Sequence, residues 1–278
     1  MRIIQFLFIP LVTFSCSEVK YDFDDFTPIY DTGTDNAGDL IEQISDAKIY
    51  FGHQSVGRNI LAGLEAWQDA TGTSLAIVES RDFSTVPESA FVHFAVGQNG
   101  DPSGKVDDFV SLMETVSVEE HPLAFFKFCY VDFNPETDVK GVYEYYKKNM
   151  LELKDRFPHI RFLASTVPYT GVQTGLKGRV KKILGRAPNG ALENGKRKEF
   201  NDMILNDLAS TFPVFDLAAA ESTRPDGSIE TFRYKGKEYP CLPSFYRSDM
   251  GHLNEEGARI VSFNLLAFLA EEIKSPKL

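Results

Sequence analysis

The chain has 278 residues, enough for one large domain or two small ones, and its 43% apolar and 25% charged content fits a soluble globular protein with a substantial core. Its formal net charge of -11 makes nucleic acid or an anionic membrane face a poor match as its main partner. The three cysteines form no CxxC pair and show no zinc-type spacing.

Arg2 precedes an apolar run from Ile3 to Val12, then Thr13-Phe14-Ser15-Cys16. A charged start, a short apolar core and a small residue before a cut describe a secretory signal. The run is too short to span a bilayer as a stable helix. Ser15-Cys16 resembles a bacterial lipoprotein processing site, which implies lipidation of Cys16. A plain cleaved signal is the first alternative and a retained anchor the second. Residues 1–16 are therefore expected to be the signal, 17–40 a tether, and 41–278 the folded domain. The expected location is the cell envelope, with the domain exported and lipid-anchored to a bacterial membrane.

Strands and helices then alternate. Lys48 to Phe51 reads as a first strand ending at Gly52. Val56, Ile60, Leu61, Leu64 and Trp67 have helical spacing, so a helix is predicted from Ser55 to about Ala70. Leu75 to Val78 reads as a second strand, and Phe109, Leu112 and Met113 suggest a helix. Leu123 to Val131 is a long apolar run, predicted to be a central strand buried on both faces. Cys129 within it reads as a small buried hydrophobe; nothing local argues for a disulfide to Cys241. Val139 to Leu153 marks a helix and Ile160 to Thr166 a strand.

Between Lys177 and Lys198 lie eight cations, read as a solvated face or as a patch for an acidic substrate. Phe200, Ile204 and Leu208 mark a helix, and Val214-Phe215 a short strand. Between Ala218 and Met250 periodicity fades, and Pro225-Asp226-Gly227 and Lys235-Gly236 predict a loop and hairpin. Asn254 caps a last helix whose apolar stripe includes Ile260, Val261, Leu265, Phe268 and Leu269. The alternation predicts a three-layer α/β/α sandwich with a central parallel sheet, and sites at the carboxyl ends of its strands.

Two places could carry chemistry. Gly52-His53-Gln54-Ser55-Val56-Gly57 spans the end of the first strand and the start of its helix. A hydroxyl there sits at the mouth of the sheet, beside helix N–H groups able to stabilise an oxyanion. By itself Ser55 reads as a helix cap. Asp249-Met250-Gly251-His252-Leu253-Asn254 precedes the last helix. Its carboxylate can fix the imidazole tautomer and leave the other ring nitrogen free to take a proton. By itself this pair reads as a capped helix start with a structural histidine.

Together the two motifs resemble the SGNH hydrolases, relatives of the GDSL lipases and esterases. Their nucleophilic Ser follows the first strand, and their Asp-x-x-His precedes the last helix. The resemblance implies Ser55, Asp249 and His252 as a catalytic triad acting on small acyl esters, often acetyl groups on carbohydrates, with no cofactor or metal. It also implies oxyanion or substrate contacts. Gly97, in Ala95-Val96-Gly97-Gln98-Asn99-Gly100-Asp101, is a donor or simply part of a Gly/Asn turn. Asn99 and Asn134 are further candidates, with Asp132 holding a loop. The Asn that the family places after its middle strand is missing here. His53 and Arg247 could line the cleft; Tyr246 flanks Arg247, and Glu221 reads as structural. His93, His121 and His159 read as surface or loop residues. Competing readings are an acyltransferase with the same triad, a glycan-binding lipoprotein, and a metal hydrolase using His53, Asp249 and His252.

Overall fold

The computed structural model describes residues 36–118, 121–173 and 175–275. The expected signal, Cys16 and most of the expected tether lie outside these residues. Folded structure begins before residue 41. Helix α1 (Ala37–Ile44) is capped by Asn36, whose Oδ1 accepts the Gly38 N–H at 2.8 Å, and it buries Ala37, Leu40, Ile41 and Ile44.

Five parallel strands form the main sheet: β1 (Lys48–His53), β2 (Ile77–Glu79), β3 (Ala90–Ala95), β4 (Leu123–Phe126) and β5 (Arg161–Phe162). Their order is β2-β3-β1-β4-β5. Beyond a break at Leu163, β6 (Ala164–Ser165) pairs in parallel with β7 (Val214–Phe215). Alternate side chains feed two cores. Ile49 and Phe51 pack with α1, α2 (Ser55–Thr71), α7 (Leu217–Ser222) and α8 (Glu255–Lys274). Tyr50 packs on the other face with α3 (Pro102–Met113), α4 (Val139–Arg156) and α6 (Ala191–Asn206). The result is the expected three-layer sandwich. Because β1 lies between β3 and β4, the connections leaving it and its neighbours open a crevice at its carboxyl end.

Several local expectations differ from the structure. Strand β3 interrupts its apolar run with His93, which the sequence presents as a surface residue; His93 is buried. The run from Leu123 to Val131 is strand only to Phe126. Lys127 to Cys129 continue irregularly into a 3-10 turn at Tyr130–Asp132. Within the basic stretch a short helix, α5 (Gly175–Ile183), stands before α6. The excursion after Ala218 holds the hairpin β8 (Thr231–Tyr234) and β9 (Lys237–Pro240). Cys129 and Cys241 are both buried and unpaired.

Candidate active site

Ser55 opens α2, yet it does not cap it. The cap position belongs to Gln54, whose side chain caps nothing. The Gln54 amide instead donates to the carbonyls of Val96 (3.1 Å) and Gly97 (2.8 Å), tying the β1–α2 turn to the loop after β3. Among the described residues no hydrogen bond engages the half-buried Ser55 hydroxyl.

His53 supports this turn from below. It is 3% exposed, and burial, the largest influence, lowers its pKa to about 3. The Gln54 carbonyl, 3.1 Å from Nδ1, must accept, so Nδ1 carries the proton. Nε2 is then the acceptor for the Nδ1–H of His93, 3.2 Å away. The imidazole fills the space beside Gly57, where a Cβ would lie 2.3 Å from the ring. His53 is therefore a buried neutral strut and not the cleft-lining group expected. With both nitrogens engaged it is also unavailable to a metal.

The second motif is a closed turn. Ser248 N–H donates to the His252 carbonyl at 2.9 Å, and Asn254 N–H donates to the Tyr246 carbonyl at 3.0 Å. Inside it, Asp249 Oδ1 accepts the N–H groups of Gly251 (2.7 Å) and His252 (2.8 Å), while Oδ2 lies 2.7 Å from His252 Nδ1. The Gly251 N–H, followed by the His252 ring and backbone, depresses the Asp249 carboxyl to about 2. The carboxylate accepts, so Nδ1 bears the proton that faces it, and Nε2 is the ring nitrogen that points away from Asp249. Among the described residues nothing hydrogen-bonds Nε2.

Helix packing relates the two motifs. Three residues spaced by four on α2, Asn59, Gly63 and Trp67, meet α8 or its leading loop. Trp67 Nε1 donates to the Arg259 carbonyl at 2.9 Å. At Gly63 a Cβ would lie 2.2 Å from the Ala258 carbonyl oxygen, so the helices touch there through backbone. Asn59 Oδ1 accepts the Leu253 N–H at 3.3 Å. Ser55 lies one turn before Asn59 on α2, and His252 immediately precedes Leu253.

Tyr130 joins the site, a role its sequence context did not signal. Its ring stands edge-on to His252, centroids 5.8 Å apart, and lies against Gly251, where a Cβ would come within 2.5 Å of the phenol carbon. Burial, and then the Asp249 charge, raise the phenol pKa, so it remains a neutral donor. Behind it, buried Arg197 donates from Nε to the Tyr130 carbonyl (3.0 Å) and from Nη1 to Thr170 Oγ1 (2.9 Å).

The expected oxyanion and substrate contacts fare differently. The Gly97 N–H donates to Asp108 Oδ2 at 2.8 Å, so it is committed and not available as an oxyanion donor. Asn99 Oδ1 accepts from Lys105 Nζ at 2.9 Å. Asn134 is exposed and closes its own local turn, with Oδ1 accepting the Glu136 N–H at 2.9 Å. It does not reach the site. Arg247 flanks the Asp249 turn: Nη1 lies 3.5 Å from the Asp249 carbonyl, and the guanidinium fills the space beside Gly171. Asp132 does hold a loop. It pairs with Lys105 at 2.6 Å, and it accepts the N–H groups of Gly100 (2.8 Å) and Cys129 (2.7 Å). That buried pair joins the loops that follow β3 and β4. A depression of about 480 Å³, lined by Arg81, Gly97, Gln98 and Asp108, adjoins the Gln54–Gly97 contact.

The fold resembles that of solved G-D-S-L lipolytic proteins. One from Veillonella parvula superposes with a TM-score of 0.46 at 13% identity, over 79% of this chain and 96% of that one. A GDSL-like lipase from Bacteroides thetaiotaomicron gives 0.42 at 11%, over 83% and 88%. The periplasmic domain of a lipopolysaccharide acetyltransferase from Salmonella Paratyphi A gives 0.42 at 13%, over 78% and 82%. At such identities the G-D-S-L likeness is one of fold. No family model matches the sequence, and no curated relative matches it.

Proposed function

We propose that this chain is a serine esterase for small acyl esters, with acetyl groups on carbohydrates as the substrate class. Ser55 is the nucleophile, His252 the base and Asp249 the group that orients it. The observation that supports the reading is the Asn59–Leu253 bond, which ties the start of α2, where Ser55 stands, to the loop that carries His252.

In the first step the Ser55 Oγ proton passes to His252 Nε2 as Oγ attacks the ester carbonyl. Collapse of the tetrahedral intermediate breaks the bond to the alcohol, which leaves with that proton. Water, deprotonated by the same nitrogen, then cleaves the acyl-enzyme and releases the acid. The N–H groups at the start of α2 face the developing oxyanion with the favourable end of the helix dipole. The Tyr130 phenol beside His252 is a neutral donor at the same rim. An exposed Asp249 and a half-buried Ser55 suit a small acyl group on a bulky alcohol that stays outside.

Hydrolysis of an aryl acetate by wild type, Ser55→Ala and His252→Ala tests the reading. Both variants should fall to the uncatalysed level; rates equal to wild type would sink it. The lipid anchor at Cys16 is a separate proposal, and a Cys16→Ala chain that still partitions with membranes would count against it.

A further inference from the structure

Helix α5 is inside out. Gly178 is buried, and a Cβ there would lie 2.3 Å from the Gln173 carbonyl oxygen. At 100° per residue the opposite side of the helix carries Leu176, Val180 and Ile183, with Leu184 on the next position. These side chains are 82%, 48%, 84% and 65% exposed. Among its described residues α5 buries only Gly178 against its own domain and turns its large apolar side chains outwards. Such a contiguous exposed stripe marks a surface that something else covers.

Charge indicates what covers it. The chain carries a net charge of -11, yet between Asp155 and Glu193 it has no acidic residue. In and just after α5 it has Lys177, Arg179, Lys181, Lys182 and Arg186. A second copy meeting the stripe would bring together two segments that both carry a net positive charge. A bilayer with anionic headgroups supplies an apolar phase and the complementary charge together. We infer that α5 lies on an anionic lipid surface. The acidic balance of the whole chain, which argues against such a face, does not hold for this segment.

The arms of the α5 excursion meet where the Gln173 N–H donates to the Asn189 carbonyl at 3.0 Å. The base of this excursion is tied to the candidate site, because the Gly171 N–H donates to the Met250 carbonyl at 2.7 Å. The segment that leads into α5 thus adjoins the loop that carries Asp249 and His252. The lipid contact itself does not depend on the esterase reading, nor on any anchor at Cys16.

A local probe tests the inference in the full chain. An environment-sensitive fluorophore is placed at Leu176→Cys in a Cys16→Ser background, in which the remaining cysteines are buried. A control probe sits at Asp69→Cys on exposed α2 surface, at the end of that helix away from Ser55. Vesicles containing phosphatidylglycerol should blue-shift the probe at 176 and leave the one at 69 unchanged. Pure phosphatidylcholine vesicles or high salt should abolish the shift. Leu176→Asp with Ile183→Asp should weaken vesicle binding at least about tenfold and leave Tm unchanged, both sites being exposed. No shift at 176, an equal shift with phosphatidylcholine, or a shift that follows protein concentration without vesicles would overturn it.

Discussion

The Leu253 N–H donates to Asn59 Oδ1 across 3.3 Å, a side-chain bond between the second turn of α2 and the residue after His252. The Trp67–Arg259 bond and the Gly63 contact hold α2 against α8 further along, while near the mouth of the sheet the Asn59 bond ties α2 to the loop before α8. Asn59→Ala should cost about 1 kcal/mol of stability, the worth of one such bond. Its effect on the proposed reaction should be larger, roughly tenfold in kcat with KM little changed, because misplacing the imidazole spoils proton transfer and leaves binding intact. Asn59→Asp, which keeps the acceptor, should recover part of the rate. Equal losses in the two variants would show that the contact does not position the turn.

Gly57 and the His53 ring share a space that admits no methyl group. The Cβ of an alanine at 57 would lie 2.3 Å from the imidazole, which its bonds to the Gln54 carbonyl and His93 hold in place. Gly57→Ala should therefore destabilise the fold by roughly 1–3 kcal/mol, the usual penalty for overpacking, despite alanine's better helix propensity. Thermal melts decide it: a variant as stable as wild type would mean that His53 can move aside.

This contact also shows why the sequence was only partly legible. The layer order and the last helix follow from apolar spacing, which is local. The Asp249–His252 bond spans three residues, so spacing alone suggests it. His53 and His93 lie forty residues apart and read as unrelated polar residues, because only the register of β1 with β3 makes them neighbours. The same holds for Lys105 and Asp132, and for Tyr130 under Gly251. Gly97 misled in the other direction: its turn is real, but its N–H is already spent on Asp108. A clue to Asn59 was available, since it sits four residues past Ser55 on a helix whose same face is otherwise apolar.

Lys105 and Asp132 are fully buried at 2.6 Å, and their other bonds fix the loops after β3 and β4. Removing either partner leaves an uncompensated charge, so Lys105→Met or Asp132→Asn should each cost roughly 3–5 kcal/mol. The double variant should be far from additive, because its second substitution removes the stranded charge. It should still fall short of wild type, since Asp132 also accepts two backbone N–H groups that asparagine satisfies less well. Denaturant melts of the four proteins form the cycle, and additive losses would mean that the pair is not coupled.

Glu221 makes stability depend on pH. It is fully buried on α7; one carboxyl oxygen accepts the Tyr169 N–H and the other has no partner. Burial raises its pKa to about 8, against the downward pull of the Tyr169 N–H, Lys127 and Arg197 and with a small push from Asp216. The folded protein thus keeps this proton up to about pH 8, whereas the unfolded chain releases it near 4.5. In that window the folded state binds more protons, so stability falls as pH rises. Lys127 also faces this carboxyl; burial lowers its pKa, and its contribution is lost in the opposite direction, as pH falls through its folded value. Glu221→Gln imitates the protonated acid at every pH. Its Tm should match wild type near pH 5 and exceed it near pH 8, by an amount reflecting on the order of a few kcal/mol. Parallel Tm profiles for the two proteins across that range would mean that Glu221 is ionised in the fold and paired with Lys127.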